Sequence, residues 1–173
     1  MLTRESSLDD VADEFARMAR GNRFLDVGTG FGIMLDKLML IPGVSVVSID
    51  PEAWTFEQIS SKYRDEVSSG RLSLLRMAGE RLEFGDSAFD TVFSIGALHH
   101  MSDPVSGLRE MVRVARQRVL VADWDRESAM WMNPHTEEEL SASKELVVPG
   151  AREMGFRIEE YGTFYTLYLD VRP

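Results

Sequence analysis

Apolar residues recur along the chain in two alternating rhythms. Leu8, Val11, Phe15 and Met18 keep helical spacing, and Ser6, Ser7 and Asp9 are residue types that cap such a helix. Gly21 and Asn22 end it. "RFLDV" (23–27) is then too short and too apolar for anything but a buried strand. Phe31, Met34, Leu35 and Leu38 form a second helical stripe, followed by the β-branched "VSVVSI" (44–49). Pro51 suits the first turn of a further helix. The cycle repeats with the strands "RLSLLRM" (71–77) and "FDTVFSI" (89–95). A helix from Pro104 turns Val105, Leu108, Met111, Val112 and Ala115 inward, with Asp103 as its N-cap. "RVLVADW" (118–124) makes a fifth strand.

Strands that alternate with helices predict an α/β fold, a parallel sheet covered on both faces. The end of the chain breaks the pattern. Thr136 and Glu139 have capping-box spacing, and Pro149 predicts a break or restart in the helix that follows. "FRIEEY", Gly162 and "TFYTLYLDV" then read as two strands joined by a tight turn, which makes the last of seven strands antiparallel. The pattern contains no repeat, low-complexity tract or linker. It predicts one domain over residues 1–173, with an N-terminal helix inside 1–20 and a short loop at 125–136 whose "SAMWM" is unusually apolar.

Composition narrows the partners. The net charge of −10 works against a broad phosphate-binding surface, so small molecules or proteins are expected before nucleic acid. The chain has no cysteine, which excludes disulfides, thiolate metal ligands and cysteine nucleophiles. "MLTRESSLDD" is polar and acidic, unlike a signal peptide, and no apolar run reaches membrane-spanning length. A cytoplasmic protein is the expectation.

The densest chemical signal is "FLDVGTGFGIML" (24–35), where three glycines crowd between a buried strand and a helix. Gly28 and Gly30 allow positive φ and close approach of a ligand to the main chain, and amides at the helix start offer donors to an anion. A plainer role is a tight strand–helix turn. Residues 28–32 read G-x-G-x-G, not the dinucleotide G-x-G-x-x-G, which argues against a nicotinamide-dependent oxidoreductase.

"LDVGTGFG" resembles the leading motif of class I methyltransferases that use S-adenosylmethionine, and the resemblance continues down the chain. Asp50 closes "VVSID" where that family holds the ribose hydroxyls; a carboxylate accepts both hydrogen bonds of a diol. "GERLEFGDSAFDTVFSIGALHHM", "DPVSGLREMVRVARQRVLVADW" and "AREMGFRIEEY" resemble the later segments in order. Within the family the chain looks closest to the small-molecule group that includes the ubiquinone and menaquinone enzymes. The resemblance implies a three-layer Rossmann-like sheet of seven strands with helices on both faces. It also implies S-adenosylmethionine as cofactor, with its methionyl end facing Gly28, Thr29, Gly30 and Gly32, its ribose at Asp50, and Asp26 anchoring its ammonium group. Asp26 has an equal alternative role as the fastener of the loop, and Asp50 as a helix N-cap. Pro51 and Ile95 are the candidates to flank adenine. The family's adenine-binding acid falls on Ala78, so Gly79 or Glu80 takes that part.

His99 and His100 follow the fourth strand, near where the methyl group points in such enzymes, and either is a candidate base. Core packing and turn capping are their ordinary alternatives. Asp123, with Asp125, is a similar candidate at the end of the fifth strand, while Trp124, Trp131 and Met132 line an apolar acceptor pocket or fill core. His135, alone in a loop, carries no role, and the histidine spacing predicts no metal site. The expectation is methyl transfer to a small molecule. The alternative is a non-catalytic S-adenosylmethionine-binding subunit, its short acceptor region completed by a partner subunit or a second copy.

Overall fold

The structure, a computed structural model, describes residues 1–130 and 134–171. Its centre is a seven-stranded sheet in the order β3-β2-β1-β4-β5-β7-β6. The strands are β1 (Arg23–Val27), β2 (Ser45–Ile49), β3 (Leu72–Leu75), β4 (Phe89–Ile95), β5 (Ala115–Trp124), β6 (Arg157–Glu160) and β7 (Phe164–Asp170). β1 to β5 pair in parallel, and β7 runs antiparallel between β5 and β6. A sheet with helices on both faces buries both faces of its strands, which is why the strand sequences lack polar alternation. All seven residues of β4 are buried.

Alternation along the strands divides the core in two. Phe24, Phe93 and Leu120 face one layer with Val11, Phe15 and Leu35, from α1 (Leu8–Met18) and α2 (Ile33–Leu38). Leu25, Val92 and Val121 face the other with Leu108, Met111 and Val147, from α5 (Pro104–Val114) and α6 (Glu137–Glu153). Between β2 and β3 lie the short α3 (Phe56–Lys62) and α4 (Arg64–Ser68). Ser7 caps α1 in a reciprocal box with Asp10, and Asp103 caps α5 through the Ser106 amide.

Three expectations change in the fold. Helix α2 starts at Ile33, with left-handed Gly32 before it, so Phe31 stays in the loop and is 83% exposed while Met34, Leu35 and Leu38 are buried. Pro51 does not open a helix. Asp50 Oδ1 instead accepts from the Glu52 amide at 2.9 Å, Ala53 takes a positive φ, and α3 begins only at Phe56. Third, α6 runs through Pro149 without a break. A proline inside a helix costs roughly 3 kcal/mol. Here Val147, Val148 and Ala151 are buried around it, and each such apolar side chain returns about 1.5–3 kcal/mol for the larger ones. Packing outweighs the lost hydrogen bond. No helix among the described residues is long and apolar enough to cross a membrane.

Candidate active site

The carboxyl ends of the parallel strands form one edge, and on it the glycine loop and the histidines lie side by side. Parallel register sets Asp26 of β1 opposite Ser48 of β2, so both side chains point to the same face. The Ser48 hydroxyl donates to Asp26 Oδ2 at 2.7 Å and lies 2.6 Å from the Thr29 hydroxyl. All three side chains are buried. Burial is the main force that pushes the Asp26 carboxyl up to about 7; the Ser48 bond opposes it and the charge of Asp50 adds to it. Asp26 thus fastens the loop through hydroxyls rather than through amides.

The loop is held from several sides. Gly28 and Thr29 amides donate to the Ile49 carbonyl at 2.8 and 2.9 Å, and the Gly32 amide donates to the Thr29 carbonyl at 2.8 Å. Asp50 Oδ2 accepts from the Gly30 amide at 3.0 Å, while the Thr55 hydroxyl donates to the Gly30 carbonyl at 2.6 Å. These four amides therefore already serve acceptors within the protein. Gly28 has its own steric reason: a Cβ there would stand 2.4 Å from Ala97 Cβ, in the loop after β4. Gly30 differs, because a Cβ there would meet nothing within 4 Å. Its bare main chain opens outward.

The adenine candidates separate. Pro51 is exposed, whereas Ile95 is 7% exposed and packed in the core. Gly79 is buried where a Cβ would come within 2.6 Å of Met101 and 2.9 Å of Val27. Glu80 accepts from both the amide and the hydroxyl of Ser102, at 2.9 and 3.1 Å, which ties it to the loop before α5.

Beyond Ala97, a turn of 3-10 helix carries His99 and His100. His99 Nδ1 is 2.6 Å from Asp123 Oδ1, and both side chains are almost fully buried. Asp123 also accepts from the His99 and Trp124 amides at 2.8 and 2.9 Å. Three bonds hold this carboxylate still, and it in turn orients the imidazole, whose Nε2 is the nitrogen left for chemistry. His100 is tilted against His99 with ring centroids 4.1 Å apart. Loss of water around its ring, then the two neighbouring imidazoles, push its pKa below the ordinary histidine value; Asp123 and Asp50 oppose. The abutment of Gly28 on Ala97, two residues before His99, sets these histidines beside the glycine loop. His135 completes the group, its ring 4.6 Å from that of His99 and 4.8 Å from that of His100. Asp125 belongs elsewhere, bonded to Lys144 at 2.5 Å. Trp124 is half-buried beside the core; Trp131 and Met132 lie outside the described residues.

A family model described as a methyltransferase domain matches residues 25–122, more than half of the chain. The chain belongs to this family. Its fold is that of the class I, S-adenosylmethionine-dependent methyltransferases. It is similar to a methyltransferase structure from Aquifex aeolicus with a TM-score of 0.71 at 22% identity, covering 95% of this chain and 89% of that one. It is 31% identical to the O-methyltransferase rstn1 of Aspergillus nomiae over 129 residues, 69% of this chain and 57% of the fungal one. It is also 39% identical to a tRNA U34 carboxymethyltransferase of Pseudomonas aeruginosa, over 93 residues that make up 51% of this chain and 27% of the relative. The chain thus spans little more than half the length of the first curated relative and less of the other.

The chain's residues suit S-adenosylmethionine at its nucleoside end. Each Asp50 oxygen accepts one protein amide, and a carboxylate has lone pairs for about four hydrogen bonds, so two remain for a ribose diol. Gly30 leaves open space beside it. Sequence reasoning missed Ser48, Thr55 and Ala97, whose roles come from cross-strand register and loop contact. It also passed over His135, which lies 35 residues beyond His100.

Proposed function

We propose that this methyltransferase binds S-adenosylmethionine across the ends of β1, β2 and β4 and transfers its methyl group to a hydroxyl oxygen of a small molecule, all within a single domain. The observation that carries the reading is the 2.6 Å bond between His99 Nδ1 and Asp123 at the edge of the glycine crevice. The cofactor, when bound, supplies a methyl carbon activated by a sulfonium leaving group. Protein groups then need to align, desolvate and, for a hydroxyl acceptor, remove one proton.

Asp50 holds the ribose diol and Gly30 lets the nucleoside lie against the main chain. Asp26, through Ser48 and Thr29, keeps the loop in place. Pro51 covers one side of adenine; Ile95, Gly79 and Glu80 shape the floor and the neighbouring loop rather than bond the base. Alignment of this kind is worth roughly 7–11 kcal/mol. His99 Nε2 takes the acceptor's proton while Asp123 stabilises the resulting imidazolium, and His100 borders the acceptor. The similarity to rstn1 supports an oxygen acceptor. The net charge of −10 weighs against RNA, despite the likeness to a tRNA-modifying enzyme.

Calorimetry with S-adenosylmethionine, followed by transfer of labelled methyl to a panel of phenols and alcohols, tests the proposal. Asp50→Ala should weaken cofactor binding by about 2 kcal/mol, roughly 30-fold. His99→Gln should keep that binding and slow transfer at least about 100-fold. Absence of cofactor binding by the intact chain overturns the reading.

A further inference from the structure

The chain has three histidines, and the fold brings all of them to one spot. One ring nitrogen from each of His99, His100 and His135 lies within 4.8 Å of the other two. We infer that these residues form a site for a divalent transition-metal ion of the zinc type, three imidazole ligands with the fourth position open.

The donor set selects the ion. Three neutral imidazoles suit zinc, cobalt, nickel or copper, whereas magnesium and calcium prefer oxygen ligands. A site with three protein ligands and one open position is the arrangement zinc adopts where it acts on a substrate. The outer partner is present as well. Asp123 engages His99 Nδ1, which sets the tautomer and directs the Nε2 lone pair outward, as carboxylates do behind metal-bound histidines. Asp123 already accepts three hydrogen bonds and is suited to that supporting place rather than to ligation. Glu139, which caps α6, stands 3.7 Å from His135 Nδ1.

Distances leave a small gap to close. Zinc–nitrogen bonds of about 2.0–2.1 Å in a tetrahedron place ligand atoms about 3.3 Å apart. Nitrogens spread over 4.8 Å reach that spacing when each ring shifts by roughly 1 Å, within the range of ordinary side-chain rotation. A shared cation would draw one ring nitrogen from each of the three residues.

The site deepens the proposed methyl transfer, and that part of the inference rests on it. An acceptor hydroxyl in the fourth position would release its proton to solvent water more easily, because the ion's charge favours the alkoxide or phenoxide. His99 Nε2 then acts as ligand; it serves as base only in the metal-free protein. Metal binding itself stands independently of the transfer.

The full chain, stripped with chelator and dialysed, is titrated with Zn2+ by calorimetry and with Co2+ by visible absorption. One ion per chain is expected, with the intense bands of four- or five-coordinate cobalt. His135→Ala and, separately, His100→Ala should each weaken binding at least about tenfold, since loss of even an outer partner costs 10–100-fold. Circular dichroism and affinity for S-adenosylhomocysteine, measured on the same samples, should stay unchanged in both variants. Equal zinc affinity in wild type and both variants overturns the site, as does a wild-type chain that binds no zinc. A chain that binds zinc at this site but not S-adenosylhomocysteine keeps the metal site and removes the methyl-transfer reading. The reverse result removes the metal site alone.

Discussion

The two halves of the crevice are built on different principles. On the glycine side, Asp26, Thr29, Gly30, Ser48, Asp50 and Thr55 come from two adjacent parallel strands and the loops that leave them, and each is tied to a neighbour at 2.6–3.0 Å. On the histidine side, His99 and His100, Asp123 and His135 arrive from three separate parts of the chain. The first half is a hydrogen-bonded network that shapes a main chain. The second brings three imidazole rings together beside one carboxylate. Such a division suits a protein that holds one part of its ligand by backbone shape and acts on another through side chains. The contact between Gly28 and Ala97 is where the halves meet.

The largest expected effect breaks the glycine side through its buried acid. Burial pushes the Asp26 carboxyl up to about 7 from an ordinary 3.8, so between about pH 4 and pH 7 the folded chain holds a proton that the unfolded chain releases. Stability therefore falls as pH rises through that window, by an upper bound of about 4 kcal/mol from this group. Asp26→Asn, neutral throughout, should remove that fall. In urea unfolding, the variant should gain on wild type between pH 4.5 and pH 7.5; a constant difference would mean that the native carboxyl ionises at its ordinary pKa.

The junction comes next. Gly28 has φ +88°, and a Cβ there overlaps Ala97, so Gly28→Ala should cost about 3 kcal/mol of unfolding free energy. Adding Ala97→Gly should recover about half of this loss, since the clash goes and the backbone strain remains. No recovery would show that the two loops are not packed as described.

The smallest effect separates Phe31 from the helix beside it. Its ring is exposed and stands edge-to-face with that of Trp54, at 5.0 Å between centroids. Phe31→Ala should cost at most about 0.5–1 kcal/mol of stability, against about 2–5 kcal/mol for Met34→Ala. A loss at position 31 equal to that at 34 would place the ring in the core.

Much of the fold is legible in the chain because strand runs such as "FDTVFSI" and helix caps such as Asp103 act locally. The misreadings share a cause. Phe31 fits helical spacing, but the conformation of Gly32 delays the helix. Pro51 has the φ a helix start requires, but Asp50 draws the Glu52 amide into a turn first. Pro149 disfavours a helix, but the buried residues around it keep one going. In each case a contact or a single backbone angle outside the local pattern prevails over propensity. The glycine side of the crevice was readable for the opposite reason, since its acid, glycines and second acid are set by strand ends. The tie between Glu80 and Ser102 was not legible because the two lie 22 residues apart.

The residue order alone determined the alternation of strands and helices, the antiparallel last strand, the glycine turn and the acid at position 50. Periodicity and turn chemistry act over a few residues, and these features need nothing more. Tertiary structure decided that Asp26 is bonded through Ser48, that Gly28 makes room for Ala97, and that His135 joins His99 and His100. Those relations depend on strand register and on where loops land. Neither is encoded in spacing along the chain; both follow only when the whole sheet and its two buried faces have packed.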